Sequence, residues 1–392
     1  MKIKTTVKFS SLYSGIMLFL LYHIVFVKFP YVPLFVLIQR IFTLVLGIMV
    51  FPKINFINLK KPIKLLLGTY LLFTFISAFL NEGNYEYSHP FVSGLFYILA
   101  VTEMVCVFSY VVRKKGIHFV IDVLFVLSFC YVIVNDFLVV FFPNCFYRYG
   151  WYYFVGNKFS VSYKHIEFIV LYFIKCRHDK KFLPFIIMVI SLLITLRVNC
   201  MTGAVGIVFF GILLFADTGK IIENKIFLFI LMLFSLSFPF IYDFIMGGYE
   251  VRYFIIYILN RTAGLTGRTE IFDYLPQILR GHLLFGYGHN TAYEVWISIT
   301  DWYPNAQNGF WNCVCEQGII SAILLSVITV MTAGRCTGKT EKILLAVIYV
   351  YTFLGSVEIT MDIAFITWVI FLYIVKGEKY GISSCQRDST VL

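Results

Sequence analysis

Charge is scarce in this chain. Asp, Glu, Lys and Arg make up 14% of its 392 residues, where a soluble domain carries about a quarter. Acidic residues are the scarcer kind: 21 Asp and Glu stand against 32 Lys and Arg, for a net charge of +11. The basic residues are scattered over short loops rather than gathered into a patch, which argues against a nucleic-acid partner. Cysteine pairs at metal-binding spacing are also missing. None of the nine Cys residues forms a CxxC; Cys313 and Cys315 stand two apart in an apolar run and point to different sides of a helix. Most of the others lie in or beside apolar runs, where Cys acts as a small apolar side chain, so neither a disulfide framework nor a metal site is expected. No low-complexity segment, evident repeat or soluble module is present. Lys2, Lys4 and Lys8 precede an apolar run that continues to Val27. No small-residue cleavage site follows, so a retained first span is expected rather than a signal peptide.

Long apolar runs fill the space left by charge. Hydrophobic residues reach 60% and the mean hydropathy is +0.85. A bilayer crossing takes about 20 apolar residues, which gives this length room for roughly ten to twelve. Twelve runs can be read, near 10–28, 31–51, 65–80, 91–112, 119–142, 162–174, 182–197, 203–216, 226–243, 309–333, 343–357 and 361–375. The expected fold is all-α and polytopic, with about twelve transmembrane helices and one large extracytoplasmic loop. Residues 1–243 would form N-terminal helices, 244–308 the loop, and 309–392 C-terminal helices and a tail. The short connections alternate in charge. Basic ones carry Lys53, Lys60, Lys61 and Lys64; Arg113, Lys114 and Lys115; Lys175, Arg177, Lys180 and Lys181; Lys220 and Lys225; and Arg335, Lys339 and Lys342. The connection from Asn81 to His89 has Glu82 and Glu86 but no Lys or Arg. The positive-inside rule then places the basic set and both termini in the cytoplasm and 244–308 outside. Gly334 to Thr340 resembles a phosphate-binding P-loop, but it is one residue too short and no strand precedes it; it reads as a basic turn.

The 244–308 segment has four Arg, no Lys and most of the turn residues. A helix is expected within it, capped by Thr266, with Glu270 and Asp273 near its start and Gly281 after its end. Ile271, Leu275, Ile278, Leu279 and His282 recur at helical spacing, so one face should lie on the membrane or on other helices. Arg268 falls in the first turn. Free backbone N–H groups and the dipole favour an anion there, and a guanidinium fork suits phosphate. Arg252, Arg261 and Arg280 add charge, as does Arg197 at the end of the seventh run. Gly286-Tyr287-Gly288 reads as a tight turn, either plain or allowing backbone to approach a ligand. His289 follows, a proton acceptor near pH 7 or a plain hydrogen-bonded loop residue. Asn305, Gln307 and Asn308 offer amides suited to sugar hydroxyls. Glu316, two turns into the tenth run, is an ionisable group at membrane depth. So are Glu103, Asp122, Asp136, Glu167, Glu358 and Asp362, some of which will simply pair with polar neighbours.

Thr266-Gly267-Arg268-Thr269-Glu270-Ile271-Phe272, Leu284-Phe285-Gly286-Tyr287-Gly288, Asn305-Ala306-Gln307-Asn308-Gly309-Phe310 and Glu316-Gln317-Gly318-Ile319-Ile320 together resemble the signature of the O-antigen polymerase/ligase family. The resemblance implies a bacterial inner-membrane enzyme. Such enzymes transfer glycan from an undecaprenyl-pyrophosphate carrier to an acceptor hydroxyl, with neither nucleotide nor metal cofactor. A chain-length regulator and a flippase are the partners implied, and Arg268 matches the loop arginine that holds the pyrophosphate. Two positions depart from the family pattern. Gln307 stands where members often carry His, so His289, Glu294, Asp301 or Glu316 would have to act as base, or the acceptor needs little activation. Cys200-Met201-Thr202-Gly203 replaces a common Ser-Arg-Thr-Gly, with Arg197 one turn earlier as a source of the charge. The missing His favours polymerase over ligase.

The expectation is therefore a surface-polysaccharide polymerase (for O-antigen, capsule or exopolysaccharide) with Arg268, His289 and Glu316 as catalytic residues. Substrate contacts are expected from Arg197, Arg252, Arg261, Arg280, Gly286, Gly288, Asn305, Gln307 and Asn308. The rivals are a ligase of the same family and a lipid-linked oligosaccharide flippase. A flippase would explain the buried charges but not the long segment with its own helix and Arg, since transporters place polar chemistry near the bilayer midplane.

Overall fold

The computed structural model describes residues 2–27, 33–57, 59–143, 153–176, 182–215, 219–253, 256–257 and 268–388. Among these the protein is helical, with a single isolated bridge between Tyr153 and Gly156. The helices are α1 (Lys2–Val25), α2 (Pro33–Val50), α3 (Lys61–Leu80), α4 (Pro90–Lys115), α5 (Ile117–Phe141), α6 (Lys158–Lys175), α7 (Phe182–Arg197) and α8 (Met201–Phe215). They continue with α9 (Gly219–Ile222), α10 (Lys225–Gly247), α11 (Tyr249–Tyr253), α12 (Arg268–Ile278), α13 (Ala292–Thr300), α14 (Gly309–Thr332), α15 (Lys339–Leu354) and α16 (Ile363–Asp388). Each of the twelve apolar runs coincides with one of the longer helices. Among the described residues six helices are long and apolar enough to cross a membrane, and shorter apolar helices span Ser10–Val25, Phe182–Arg197, Met201–Phe215 and Ile363–Gly377. The protein is an all-α protein with several apolar, membrane-type helices.

Small residues set the closest helix approaches. A Cβ on Gly203 of α8 would lie 2.2 Å from the Cβ of Ser162 on α6, and one on Gly94 of α4 would lie 2.6 Å from that of Ala78 on α3. Lipid supplies no hydrophobic drive between helices, so van der Waals contact at such positions holds them together. The outward faces of α2, α5, α7 and α10 carry exposed large apolar side chains, among them Ile48, Phe137, Leu193 and Ile230.

The basic connections gather at one end of the bundle. Lys115 Nζ reaches Ser11 Oγ of α1 (3.1 Å), and Arg113 and Lys114 lie over the Phe56 ring. The Lys60 amide bonds Tyr373 of α16 (3.1 Å). Lys376 caps the carbonyls of Thr332 and Gly334, Lys339 bonds the Cys176 carbonyl and Lys342 pairs with Glu223. The Gly334–Thr340 stretch is a turn between two helices, where Glu341 accepts from the Thr337 amide (2.7 Å).

The 268–308 stretch packs onto the other end. Ile271, Phe272, Leu275, Ile278 and Leu279 are buried, and the Phe272 ring meets Phe238 and Tyr242 of α10. The apolar face of α12 thus lies on protein. Trp296 of α13 is fully buried. The Glu294 carboxylate accepts from the amides of Glu86, Tyr87 and Ser88, tying α13 to the α3–α4 connection that lacks Lys and Arg.

Candidate functional site

Arg268 opens α12, as its place in the first turn implied, while Thr266 and Gly267 lie outside the described residues. Its Nη2 donates to Glu358 Oε1, and the two side chains are 11% and 6% exposed. Glu358 sits in the short connection between α15 and α16. A cation so nearly buried needs a partner, because stripping its water without one costs several kcal/mol. Thr202 at the start of α8 hydrogen-bonds the same carboxylate, and Lys158 at the start of α6 is a second cation acting on it. Burial pushes the Glu358 carboxyl up to about 7, even though Arg268 and Lys158 pull it down. Helix starts from α6, α8 and α12 therefore converge on one carboxylate. The departure noted at Cys200–Gly203 falls here: Thr202 contributes its hydroxyl, and Lys158 supplies a cation where Met201 cannot. Arg197 is exposed at the end of α7, with Tyr153 as its electrostatic neighbour.

The connection carrying Glu358 is held by the start of α14. Asn308 is fully buried. Its Oδ1 accepts from the Trp311 amide, and its Nδ2 donates to the carbonyls of Ser235 (2.8 Å) and Ser356 (3.0 Å). The Gly309 amide bonds the Gly355 carbonyl (2.7 Å). The Asn308 amide thus caps α14 and clamps the turn that carries Glu358. Gln307 adopts a left-handed φ of 47°, and both its amide groups donate to Asn305 Oδ1. Asp362 Oδ1 caps α16 through the amides of Ala364 and Phe365 and acts electrostatically on Tyr97, Tyr163 and Tyr351.

His289 and Glu316 are brought together, Nδ1 to Oε2 at 3.4 Å. The imidazole lies tilted against the Tyr97 ring (4.3 Å between centroids), and its Nδ1 is also 3.4 Å from Gln317 Nε2. Such a contact counts as an ion pair only if His289 is protonated. Burial pushes its pKa down to about 4, so at neutral pH the imidazole is neutral and the contact is not an ion pair. Glu316 also receives hydrogen bonds from the Asn290 backbone and the Asn312 side chain. This second cluster sits two turns along α14 from Asn308, about 12 Å deeper at the usual helical rise.

The remaining expected positions separate. Arg280 is exposed just past the far end of α12, about 18 Å from Arg268 along the helix. Arg252 is exposed on α11, and Arg261 lies outside the described residues. Gly286 and Gly288 approach protein backbone and side chains. A Cβ on Gly286 would lie 2.7 Å from the Cys315 carbonyl oxygen and the Gly318 nitrogen, and one on Gly288 would lie 2.5 Å from Pro90. Of the carboxylates named as alternative bases, Glu294 is committed to three backbone amides and Asp301 forms the left-handed C-cap of α13 (φ 62°). Glu358 was seen in the sequence only as one of several ionisable groups in apolar surroundings. Its position just after the fifteenth helix gave no sign that it meets Arg268. Among the described residues no group of three or more His, Cys, Asp or Glu is placed to hold a metal. No protein-family model, curated protein or solved structure matches this chain.

Proposed function

We propose that this protein is a membrane-embedded polysaccharide polymerase. In this reading it joins undecaprenyl-pyrophosphate-linked repeat units at the outer face of a bacterial cytoplasmic membrane. The twelve helices that match the apolar runs would cross the bilayer, with the basic connections and both termini in the cytoplasm. The observation that carries the reading is Arg268, at the first turn of α12, at the end of the bundle away from the basic connections. A guanidinium at a helix start suits a pyrophosphate, and the leaving group gains negative charge in the transition state. The family-like motifs around it supply the substrate class.

Deleting the gene and running the surface polysaccharide on a gel tests this. A single attached repeat without the long ladder is the expected result. Full-length polymer accumulating unattached on its carrier would mean a ligase, and repeats trapped on the cytoplasmic face a flippase. Within the deletion strain, Arg268→Ala should fail to restore the ladder while the protein reaches the membrane at normal level. An active Arg268→Ala protein would sink the reading.

A further inference from the structure

Arg268 is not waiting open for an anion: Glu358 already holds it. The pair is nearly buried, and a second cation, Lys158, and a hydroxyl, Thr202, face the same carboxylate. A pyrophosphate offers Arg268 more charge than one carboxylate does, and bidentate oxygens to match its fork. When Arg268 turns to such a ligand, Glu358 loses its strongest partner beside the bond that must break. Resting on the polymerase reading, we propose that Glu358 is the catalytic base, masked by Arg268 at rest and released when the donor's pyrophosphate takes the guanidinium.

The step balances. The acceptor hydroxyl oxygen bonds to the donor's anomeric carbon. The bond from that carbon to the pyrophosphate oxygen breaks, its electron pair leaving with the lipid pyrophosphate. The hydroxyl proton passes to a Glu358 carboxylate oxygen and goes to solvent after product leaves. A general base works best when its pKa lies near the working pH; with Arg268 still on it Glu358 stands at about 7, and losing that cation makes the ionised carboxylate a stronger proton acceptor. The charged and titratable groups that face it are Arg268 from α12, Lys158 and Tyr163 from α6 and Cys200 ahead of α8. Asp362 follows four residues later. A cavity of about 30 Å³ lies against the same connection, lined by Ser160, Tyr163, Thr360 and Asp362 among others. That is room for one water and not for a sugar.

The test uses the full-length protein in detergent and lipid-linked repeat units extracted from the deletion strain. Glu358→Gln keeps the shape and an acceptor for Arg268 but cannot take a proton. It should lower kcat by at least about 100-fold, flatten the acid limb of the pH–rate profile, and leave the donor KM unchanged or lower. Inorganic pyrophosphate, followed by its inhibition of wild-type and variant polymerisation, should bind Glu358→Gln at least as tightly as wild type, because a competitor for Arg268 has been weakened. Glu358→Asp should retain partial rate. A Glu358→Gln protein within a few-fold of wild-type kcat, or one whose whole defect is a raised KM, overturns the proposal and leaves Glu358 a mere support for Arg268. Should the variant not fold, a wild-type profile without an acid limb between about pH 6 and 8 overturns it equally. None of these outcomes touches the polymerase reading, which stands or falls on the ladder and on Arg268→Ala.

Discussion

Asn308 shows what a single residue does here. Its amide caps α14 and holds two carbonyls of other segments at full burial. Asn308→Ala removes a cap and strands two buried carbonyls, a loss of about 2–4 kcal/mol. The variant should show a lowered melting temperature in detergent, and an unchanged one would mean those carbonyls find other partners. From the sequence, Asn308 was legible as important but not as structural, because an amide that binds sugar and one that binds backbone look the same. His289 carries the pH signature. Its folded pKa is about 4 against an ordinary 6.5. The unfolded chain therefore binds the extra proton between those values, and stability falls as pH drops through that window. The cost reaches roughly 3 kcal/mol by pH 4. Melting temperatures of wild type should fall more steeply between pH 7 and 4.5 than those of His289→Gln. Parallel slopes would mean the imidazole is already charged in the fold.

At the scale of an element, α14 is the informative helix because it is broken. Gly318 has φ 83° and ψ 165° inside it. The backbone groups freed there are taken up by the 282–288 stretch. The Tyr287 amide bonds the Cys315 carbonyl (2.7 Å), and the Ile319 amide bonds the Leu283 carbonyl (2.9 Å). Irregular backbone at membrane depth survives only where protein satisfies it, so Gly286 and Gly318 are two halves of one contact. In the sequence they fell in separate motifs, and glycine is common enough in apolar helices that nothing marked the break. A Cβ on Gly318 would sit 2.0 Å from the Leu284 carbonyl oxygen. Clash and left-handed backbone together should cost more than about 3 kcal/mol. Gly318→Ala should therefore run as aggregate in size-exclusion chromatography. Gly68→Ala, whose Cβ meets nothing within 4 Å, should run as wild type. A monodisperse Gly318→Ala protein would mean the break can re-form as helix.

For the whole molecule, what was legible is what repeats along the chain. Apolar runs of sufficient length became helices because a buried or lipid-facing backbone must satisfy its own hydrogen bonds. Arg268 and Glu358, 90 residues apart, meet only through the packing of helix ends distant in the chain, and no local pattern encodes that. The charge of the connections carries one more consequence. The basic connections are linked end to end through Lys115, Arg113, Lys60, Lys376 and Lys339. The segment joined to Glu294 lies beyond the opposite ends of the same helices. Only α14 separates Trp302, 83% exposed, from the exposed Arg335. If α14 crosses the bilayer and cationic connections stay in the cytoplasm, the two positions face opposite compartments. A membrane-impermeant maleimide on intact spheroplasts should label Trp302→Cys above the parent background. It should reach Arg335→Cys only after permeabilisation. Labelling in the reverse order would turn the bundle over and put Arg268 in the cytoplasm, away from any carrier presented outside. Labelling of both from one side would mean that α14, broken at Gly318, enters the membrane without crossing it.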